Sequence, residues 1–496
     1  MKQKSKLNKK TKFYKNVGKV LIIVSIIFLG IILYMDLLPS RYLRKIVFAV
    51  IIFDVINVLL LNLRRLKKKV KNIISTICII VIILMSFGSF YLGKTLNVLL
   101  SNGDSKYKQE NYSVVVLKDS NYNKLENIKN KKVGYYKNLT GADEATKYLT
   151  KKVKVNFEGY LSPDTLIDDL VAGRIDVILM EESIKQVLID EKKDFDKITK
   201  VIHTYSIKVN TDSEAKEVNV TKEPFIIYLS GIDTYGKISS VSRSDVNIVM
   251  VVNPKTKQVL LISIPRDYYV QLHGTEGPRD KLTHAGIYGT DMSIKTIEDL
   301  LKININYYIK VNFTSVIDIV NALGGLEVYS EYTFISYSNY SFKKGYNAVN
   351  GKQALDFART RKAFVDGDRQ RGKNQQALIE AIIRKATNKS VLTKYSSLLD
   401  AIDGKYQTNM SMKKITSLIK MQLNDMASWN ITSYSLSGTD SRNYTYTFNR
   451  SLYVMEPKEE SINEAMDLIK SIIEGKTLEG SYGEKVEAVN SVSKVK

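Results

Sequence analysis

The sequence predicts a membrane-anchored α/β protein. It has N-terminal transmembrane helices, a small α/β domain, and a larger domain with a mixed α+β sheet and flanking helices. Three observations carry this. Residues 17–35, 46–63 and 73–92 are almost wholly apolar, and each is near the length of about 20 residues that spans a bilayer. Beyond them, short β-branched runs alternate with segments of helical period, the pattern of layered α/β folds. Arginine and aspartate clusters then stand at the ends of apolar stretches, where such folds gather ligands.

The anchor is read as residues 1–94. The first apolar run continues to Met35 without a small-residue cleavage site, which argues against a removed signal peptide. Asp54 and Asn57 fall inside the second span and are expected to make helix–helix contacts. Seven lysines in the first fifteen residues, and the run from Arg64 to Lys71, mark the cytoplasmic flanks. Three spans then place the N-terminus in the cytoplasm and everything after residue 94 outside. Arg41, Arg44 and Lys45 dissent, because they flank span two on the outer side.

Charge adds a second constraint. The chain of 496 residues carries a formal +23, of which residues 1–71 supply +15. The basic excess is therefore mainly topological, and nucleic-acid binding, which needs a clustered basic face on a folded domain, is excluded. The only cysteine, Cys78, lies in span three, so the outer region has no disulfides. A bacterial cell surface fits this usage.

Beyond the anchor, residues 95–112 are read as a linker and 113–210 as the accessory α/β domain, with strands at 113–117, 133–136 and 175–180. No arginine–aspartate set there would fix a ligand. Residues 211–223 are read as a second linker. The main domain is 224–475, and 476–496 is a loose tail. Its strands are expected at 225–229, 246–252, 259–264, 307–311 and 326–329. Its helices are expected at 291–302, 313–323, 351–358, 370–388, 412–426 and 459–473.

Asp233 follows the first strand of this domain, Asp245 precedes the second, and Arg266 and Asp267 follow the third. In a hairpin-connected sheet the start of one strand lies beside the end of its neighbour, so Asp233, Asp245 and Arg266 are expected to converge. Arg359 and Arg361 stand two apart and share no helical face. They reach one anion only if the helix ends there and the chain turns. Arg371 and Gln375 lie four apart on one face of the next helix, whose N-terminus favours an anion. Guanidinium groups bind phosphate bidentately and carboxylates hold hard cations. Such a mixture suits a metal-bound pyrophosphate. Lys281 adds a point charge, and the lone His284 reads as structural. There is no Gly-x-Ser-x-Gly elbow, Walker loop or histidine metal pair.

Residues 224–385 resemble the catalytic domain of the LytR-CpsA-Psr family of bacterial cell-wall proteins. The resemblance rests on Gly231-Ile232-Asp233, Arg243-Ser244-Asp245, Ile264-Pro265-Arg266-Asp267 and Lys281-Leu282-Thr283-His284-Ala285. It extends through Gly324-Gly325-Leu326-Glu327-Val328, Gly351-Lys352-Gln353-Ala354-Leu355, Ala358-Arg359-Thr360-Arg361 and the stretch from Gly367 to Gln375. The anchor and accessory domain resemble the capsule-associated branch. The chain departs at Asn374, where the family often carries another arginine.

The resemblance implies a phosphotransferase that takes an anionic glycan, a capsular polysaccharide or a teichoic-acid-like polymer, from undecaprenyl pyrophosphate. The glycan goes to a peptidoglycan hydroxyl through a phosphodiester, on the membrane of a Gram-positive cell. It implies catalytic roles for Asp233, Asp245, Arg266, Asp267, Arg359 and Arg361. Asp233 and Asp245 would hold Mg²⁺ or Mn²⁺. Arg243, Lys281, Arg371 and Gln375 would bind the pyrophosphate. The same residues serve a pyrophosphatase of lipid-linked intermediates, with water as acceptor. A non-catalytic surface scaffold is the remaining alternative, and it has no need of so many phosphate clamps.

Overall fold

The computed structural model describes residues 2–35, 40–63, 65–101, 107–139, 141–191, 194–210, 214–235, 238, 242–365, 367–388 and 404–478. The predicted C-terminal tail lies almost wholly outside them. The chain divides into two compact units.

The first unit contains α1 (Lys2–Met35), α2 (Ser40–Asn62) and α3 (Lys68–Ser101). Three stretches in them are long and apolar enough to cross a membrane: Lys12–Met35, Ser40–Asn62 and Lys68–Phe90. Tyr14, Val17, Leu21, Leu61, Ile74 and Cys78 form their small shared core. Most other apolar side chains, such as Ile23, Ile26, Leu84 and Phe90, are exposed, as expected of helices whose solvent is hydrocarbon. The Asn57 amide donates to the Phe53 carbonyl of its own helix at 2.7 Å, because a short polar side chain satisfies itself most readily one turn back. The linker expected at 95–112 is shorter, because α3 continues to Ser101 and a strand begins at Tyr107.

The second unit holds both sheets. The first sheet contains β1 (Tyr107–Leu117), β2 (Lys132–Tyr136), β3 (Asn156–Tyr160), β4 (Val177–Glu181) and β5 (Thr199–Asn210), in the order β3-β2-β4-β1-β5. The helices α4 (Ala142–Lys152), α5 (Pro163–Val171), α6 (Glu182–Glu191) and α7 (Phe195–Ile198) connect them. Strand β5 escaped the sequence reading because it pairs along its whole length with β1 as an antiparallel edge.

The larger sheet begins with β6 (Phe225–Ile232), β7 (Val246–Asn253) and β8 (Gln258–Ser263). Then come the short pair β9 (Tyr269–Val270) and β10 (Asp280–Lys281), α8 (Leu282–Ala285), α9 (Thr290–Leu301), β11 (Tyr307–Asn312) and α10 (Phe313–Ala322). The small strands β12 (Leu326–Ser330), β13 (Phe334–Ile335), β14 (Ser341–Phe342) and β15 (Gly345–Val349) precede α11 (Gly351–Arg359) and α12 (Gly367–Ala386). The chain closes with β16 (Tyr406–Thr408), α13 (Met412–Asp425), β17 (Asn430–Ser435), the hairpin β18 (Gly438–Thr445) and β19 (Arg450–Pro457), and α14 (Glu459–Ile473). The sheet order is β16-β11-β6-β7-β8-β17, with β11 parallel to β6 and β17 parallel to β8.

Period-two alternation divides this sheet into two faces. Tyr228, Val249, Val251, Leu260 and Ile262 face a dry core with Ile294, Ile297 and Leu301 of α9 and Leu468, Ile469 and Ile472 of α14. Leu229, Met250, Ile309 and Val311 face the other way, into a cavity that α10, α11 and α12 also line.

The two sheets are packed together in one unit. Ile287, Phe448 and Leu452 of the larger part share a core with Leu166, Ile167, Ile184 and Leu188 of the smaller. The segment read as a second linker is pinned as well: Lys216 N donates to Asn306 O at 3.2 Å, and Val220 is buried.

Candidate active site

Register builds the site. Gly231 sits opposite Val246 in the β6–β7 pair, and Asp245 N donates to Gly231 O at 2.9 Å. Asp233 and Asp245 therefore emerge side by side. Ile264 N donates to Asn247 O at 2.9 Å, which carries Arg266 out of β8 beside Asp245. Gly286 holds the approach to Asp245 in place. A Cβ there would overlap the backbone of Ser242 and Ser244.

The arginines arrive as expected for a helix that stops. α11 ends at Arg359, and Thr360 is extended. The chain turns, and α12 starts at Gly367, where a Cβ would lie 2.7 Å from the Arg361 carbonyl. Arg359 donates to Asp233 Oδ1 at 3.4 Å, and its guanidinium lies 3.9 Å from the Phe313 ring centroid. Arg266 donates to Asp245 Oδ1 at 2.8 Å. Arg371 lies 2.9 Å from Asp368 Oδ1, and the same oxygen lies 3.8 Å from both Arg266 and Arg361.

Asp368 is thus a hub for three arginines. In the sequence it falls within the stretch from Gly367 to Gln375 without a role of its own. Its i, i+3 spacing to Arg371 was the available signal.

Two cavities meet at this cluster. One, of about 560 Å³, is lined by Asp233, Asp245, Arg359, Arg361, Arg371 and Gln375 at its polar end and is otherwise mainly apolar. The second is a crevice of about 30 Å³, lined by Asp245, Arg266, Asp368, Arg369, Lys373 and Gln375 among others. Asp245, Arg371 and Gln375 border both.

The electrostatics are those of a site with unmet demand. Burial pushes the Asp245 carboxyl up, but Arg266, Arg243 and Arg371 outweigh it and hold it below the usual carboxylate range. Burial raises the Asp233 carboxyl, and the Asp245 charge adds to this, while Arg359 and Arg243 oppose it. Burial lowers the Arg371 guanidinium, and the like charges of Arg266 and Arg361 act in the same direction. The buried Nε atoms of Arg266 and Arg371 have no hydrogen-bond partner. Buried donors of this kind require an acceptor, and an anion placed there satisfies them and relieves the arginine repulsion.

Three predicted residues do not line the cavities. Lys281 is paired with a carboxylate instead. Its Nζ lies 3.0 Å from Asp267 Oδ1, with both side chains mostly buried, because the β9–β10 pair carries it behind Asp267. Asp267 in turn lies 3.4 Å from Arg266 Nε, so it orients that arginine. Arg243 acts on both site aspartates through its charge.

His284 is structural, as read: it is 1% exposed, with Nδ1 2.6 Å from Asp280 Oδ1. Asn374 departs from the family pattern for a packing reason. It is buried, donates to the Phe357 carbonyl at 3.2 Å, and accepts from Gln370 at 3.1 Å.

Among the described residues no group of three or more His, Cys, Asp or Glu is placed to hold a metal ion. Asp233 and Asp245 offer two neighbouring carboxylates at the polar end of the larger cavity. That donor set fits Mg²⁺, which binds through one or two carboxylates with substrate phosphates and water completing its shell.

The chain belongs to the LytR_cpsA_psr family, whose sequence profile matches residues 183–467, more than half of it. It is 38% identical over 198 residues to the Bacillus subtilis polyisoprenyl-teichoic acid–peptidoglycan teichoic acid transferase TagU, a match spanning 40% of this chain and 63% of that protein. The corresponding protein of Enterococcus faecalis is 39% identical over 210 residues, spanning 41% of this chain and 68% of that one. The match to the Bacillus licheniformis protein, 40% identical, spans 38% of this chain and 61% of that relative. Among solved structures, the crystal structure of B. subtilis TagV aligns at 29% identity and a TM-score of 0.43, covering 52% of this chain and 99% of that one. A structure described as TagT bound to LIIa-WTA aligns at 28% identity and a TM-score of 0.43, covering 53% and 97%.

Proposed function

We propose that this chain transfers an anionic glycan from a polyprenyl-pyrophosphate carrier to a hydroxyl of peptidoglycan, forming a phosphodiester. One observation carries the reading. The buried Nε of Arg371, a donor without a hydrogen-bond partner, stands with Arg359 and Arg361 at the polar end of a cavity whose other walls are mainly apolar. A ligand suited to both ends has a pyrophosphate head and a hydrocarbon tail. The relatives named for transfer of polyisoprenyl-linked teichoic acid support the same assignment.

In this reading Leu229, Met250, Val316, Ile319, Leu378 and Ile382 surround the prenyl chain. Arg266, Arg359, Arg361 and Arg371 bind phosphate oxygens, assisted by Gln375. The acceptor oxygen forms a bond to the glycan-proximal phosphorus, and the bond from that phosphorus to prenyl phosphate breaks. The hydroxyl proton passes to a site carboxylate, and prenyl phosphate leaves with the electron pair. Asp233 and Asp245 would hold Mg²⁺ or Mn²⁺, which when bound supplies neutralisation of the phosphate charge. Phosphoryl transfer needs positioning and charge stabilisation more than a covalent nucleophile, which agrees with a site rich in arginine.

The test is turnover of an undecaprenyl-pyrophosphate-linked glycan by the full chain in proteoliposomes with peptidoglycan as acceptor. A glycan–peptidoglycan phosphodiester, lost in EDTA and restored by Mg²⁺, is the expected product. Release of glycan phosphate into water with no linked product would transfer the assignment to a pyrophosphatase.

A further inference from the structure

Helix α13 (Met412–Asp425) is an anomaly of the larger sheet. The chain leaves that sheet at edge strand β16, passes through α13, and rejoins it at the opposite edge strand β17. Yet Ser411–Ala427 belongs to the compact unit of the membrane helices. The helix is amphipathic: Met412, Ile415, Ile419 and Leu423 follow one another at intervals of three and four, which makes a single stripe. Lys413 and Lys420, seven apart, share a face beside that stripe. Three lysines stand against one acidic residue, Asp425. None of its residues is buried, and Met412, Ile415, Ile419 and Leu423 are each half-buried, so part of the stripe stays open.

A hydrogen bond fixes its depth. Arg41, in the first turn of α2, donates to the Asn424 carbonyl at 2.7 Å. Asn424 lies in the last turn of α13, where carbonyls lack helical partners and cations are favoured. Arg41 also donates to Tyr42 at 2.9 Å and lies 4.6 Å from its ring centroid. An arginine and a tyrosine at the end of a span mark the headgroup level. The three helices pass back and forth, so this end of α2 is the end at which α3 delivers the chain to the folded unit. The outer-side Arg41, which contradicts the charge rule for topology, thereby has a structural task.

We propose that α13 is an interfacial helix that binds an anionic phospholipid surface. Its apolar stripe lies at the acyl boundary, and its lysines lie among the headgroup phosphates. Helices of this composition bind by buried apolar area plus attraction to anionic lipid. This inference rests on the three-span anchor and not on the transferase reading.

The experiment uses the full chain in which Cys78→Ser leaves a single introduced thiol, at Ile419→Cys or Ser417→Cys, labelled with an environment-sensitive fluorophore. The vesicles contain phosphatidylglycerol with phosphatidylcholine, or phosphatidylcholine alone. The label at 419 should be quenched by lipids carrying a shallow nitroxide and protected from iodide, and the label at 417 should show the reverse. The nitroxide quenching at 419 should weaken without phosphatidylglycerol, and Lys413→Glu with Lys420→Glu should abolish that lipid dependence. Iodide access at 419, quenching by neither agent, or indifference to lipid charge in the parent chain overturns the proposal. A tryptophan at position 419 in a Trp429→Phe chain, read with brominated lipids, gives the same decision without altering Cys78.

Discussion

Asp280 and Asp245 are both buried aspartates paired with nitrogen bases in the same unit, but their surroundings differ. Asp280 faces His284 Nδ1 at 2.6 Å and accepts from Thr447 N at 2.8 Å and from its hydroxyl at 2.5 Å. Thr447 continues to Tyr288 at 3.0 Å, and Tyr288 to Tyr136 of β2 at 2.6 Å. This chain joins the two sheets, and neither described site cavity includes it. Around Asp245, by contrast, the Nε donors of Arg266 and Arg371 lack hydrogen-bond partners, and two cavities open. A buried polar cluster that satisfies itself stabilises a fold. One that leaves donors unsatisfied beside a cavity is arranged for a ligand.

The comparison breaks first at Asp280. Asp280→Ala removes one partner of a buried pair and should cost about 3–5 kcal/mol of stability, measured by denaturant unfolding of the solubilised chain. A loss below about 1 kcal/mol would mean that the Asp280 cluster is not the fastening between the sheets.

The Asp245 side should respond in rate. Arg266→Lys and Arg371→Lys should each reduce transfer by roughly 100-fold or more, because lysine lacks the planar fork and a transition-state donor is lost. Unfolding midpoints should hardly change. Near-normal transfer by both variants would leave the orphaned donors without a catalytic explanation.

Lys281 separates support from contact. Its partner Asp267 orients Arg266, so Lys281→Ala should lower kcat by about tenfold, the lower end for groups that hold a ligand-binding residue in place, with KM little changed. A rise in KM alone would instead return Lys281 to the substrate.

The smallest effect is in pH. Burial raises Asp280, but the charge and hydrogen bond of His284 and the bonds from Thr447 outweigh it and hold it below the usual value of 3.8. A depressed carboxyl contributes stability above its unfolded pKa and loses it as pH falls through the folded one. Below pH ~4, Asp280→Asn should therefore lose stability less steeply than the parent chain, by at most about 1.4 kcal/mol per pH unit for one proton. Parallel slopes would show that Asp280 is not held low.

Much of this architecture was legible in the chain. The β7–β8 hairpin could be read from two apolar runs joined by the Asn253–Thr256 turn. Once it is accepted, the adjacency of Asp245 and Arg266 follows, because antiparallel pairing makes a strand start meet its neighbour's end. The end of α11 at Arg359 was legible in the same way, since Arg359 and Arg361 can serve one anion only across a turn. Three apolar spans needed no more than their length.

Other features depend on contacts between segments far apart in sequence. Nothing near Lys281 marks it as the partner of Asp267, and nothing near Asp368 shows that three arginines share it. The fastening of Asp280 to Thr447 spans 167 residues, and the hydrogen bond from Arg41 to α13 spans 383.

The sequence by itself therefore determined the spans, the strand and helix periods, and the end of the sheet at which charge collects. These are set by repeats of two and 3.6 residues and by bilayer thickness. Tertiary structure alone decided which cations face a cavity and which are spent on a carboxylate. It also decided that α13 keeps company with the membrane helices. Pairing of that kind depends on which side chains reach the same few ångströms, and no local periodicity encodes it.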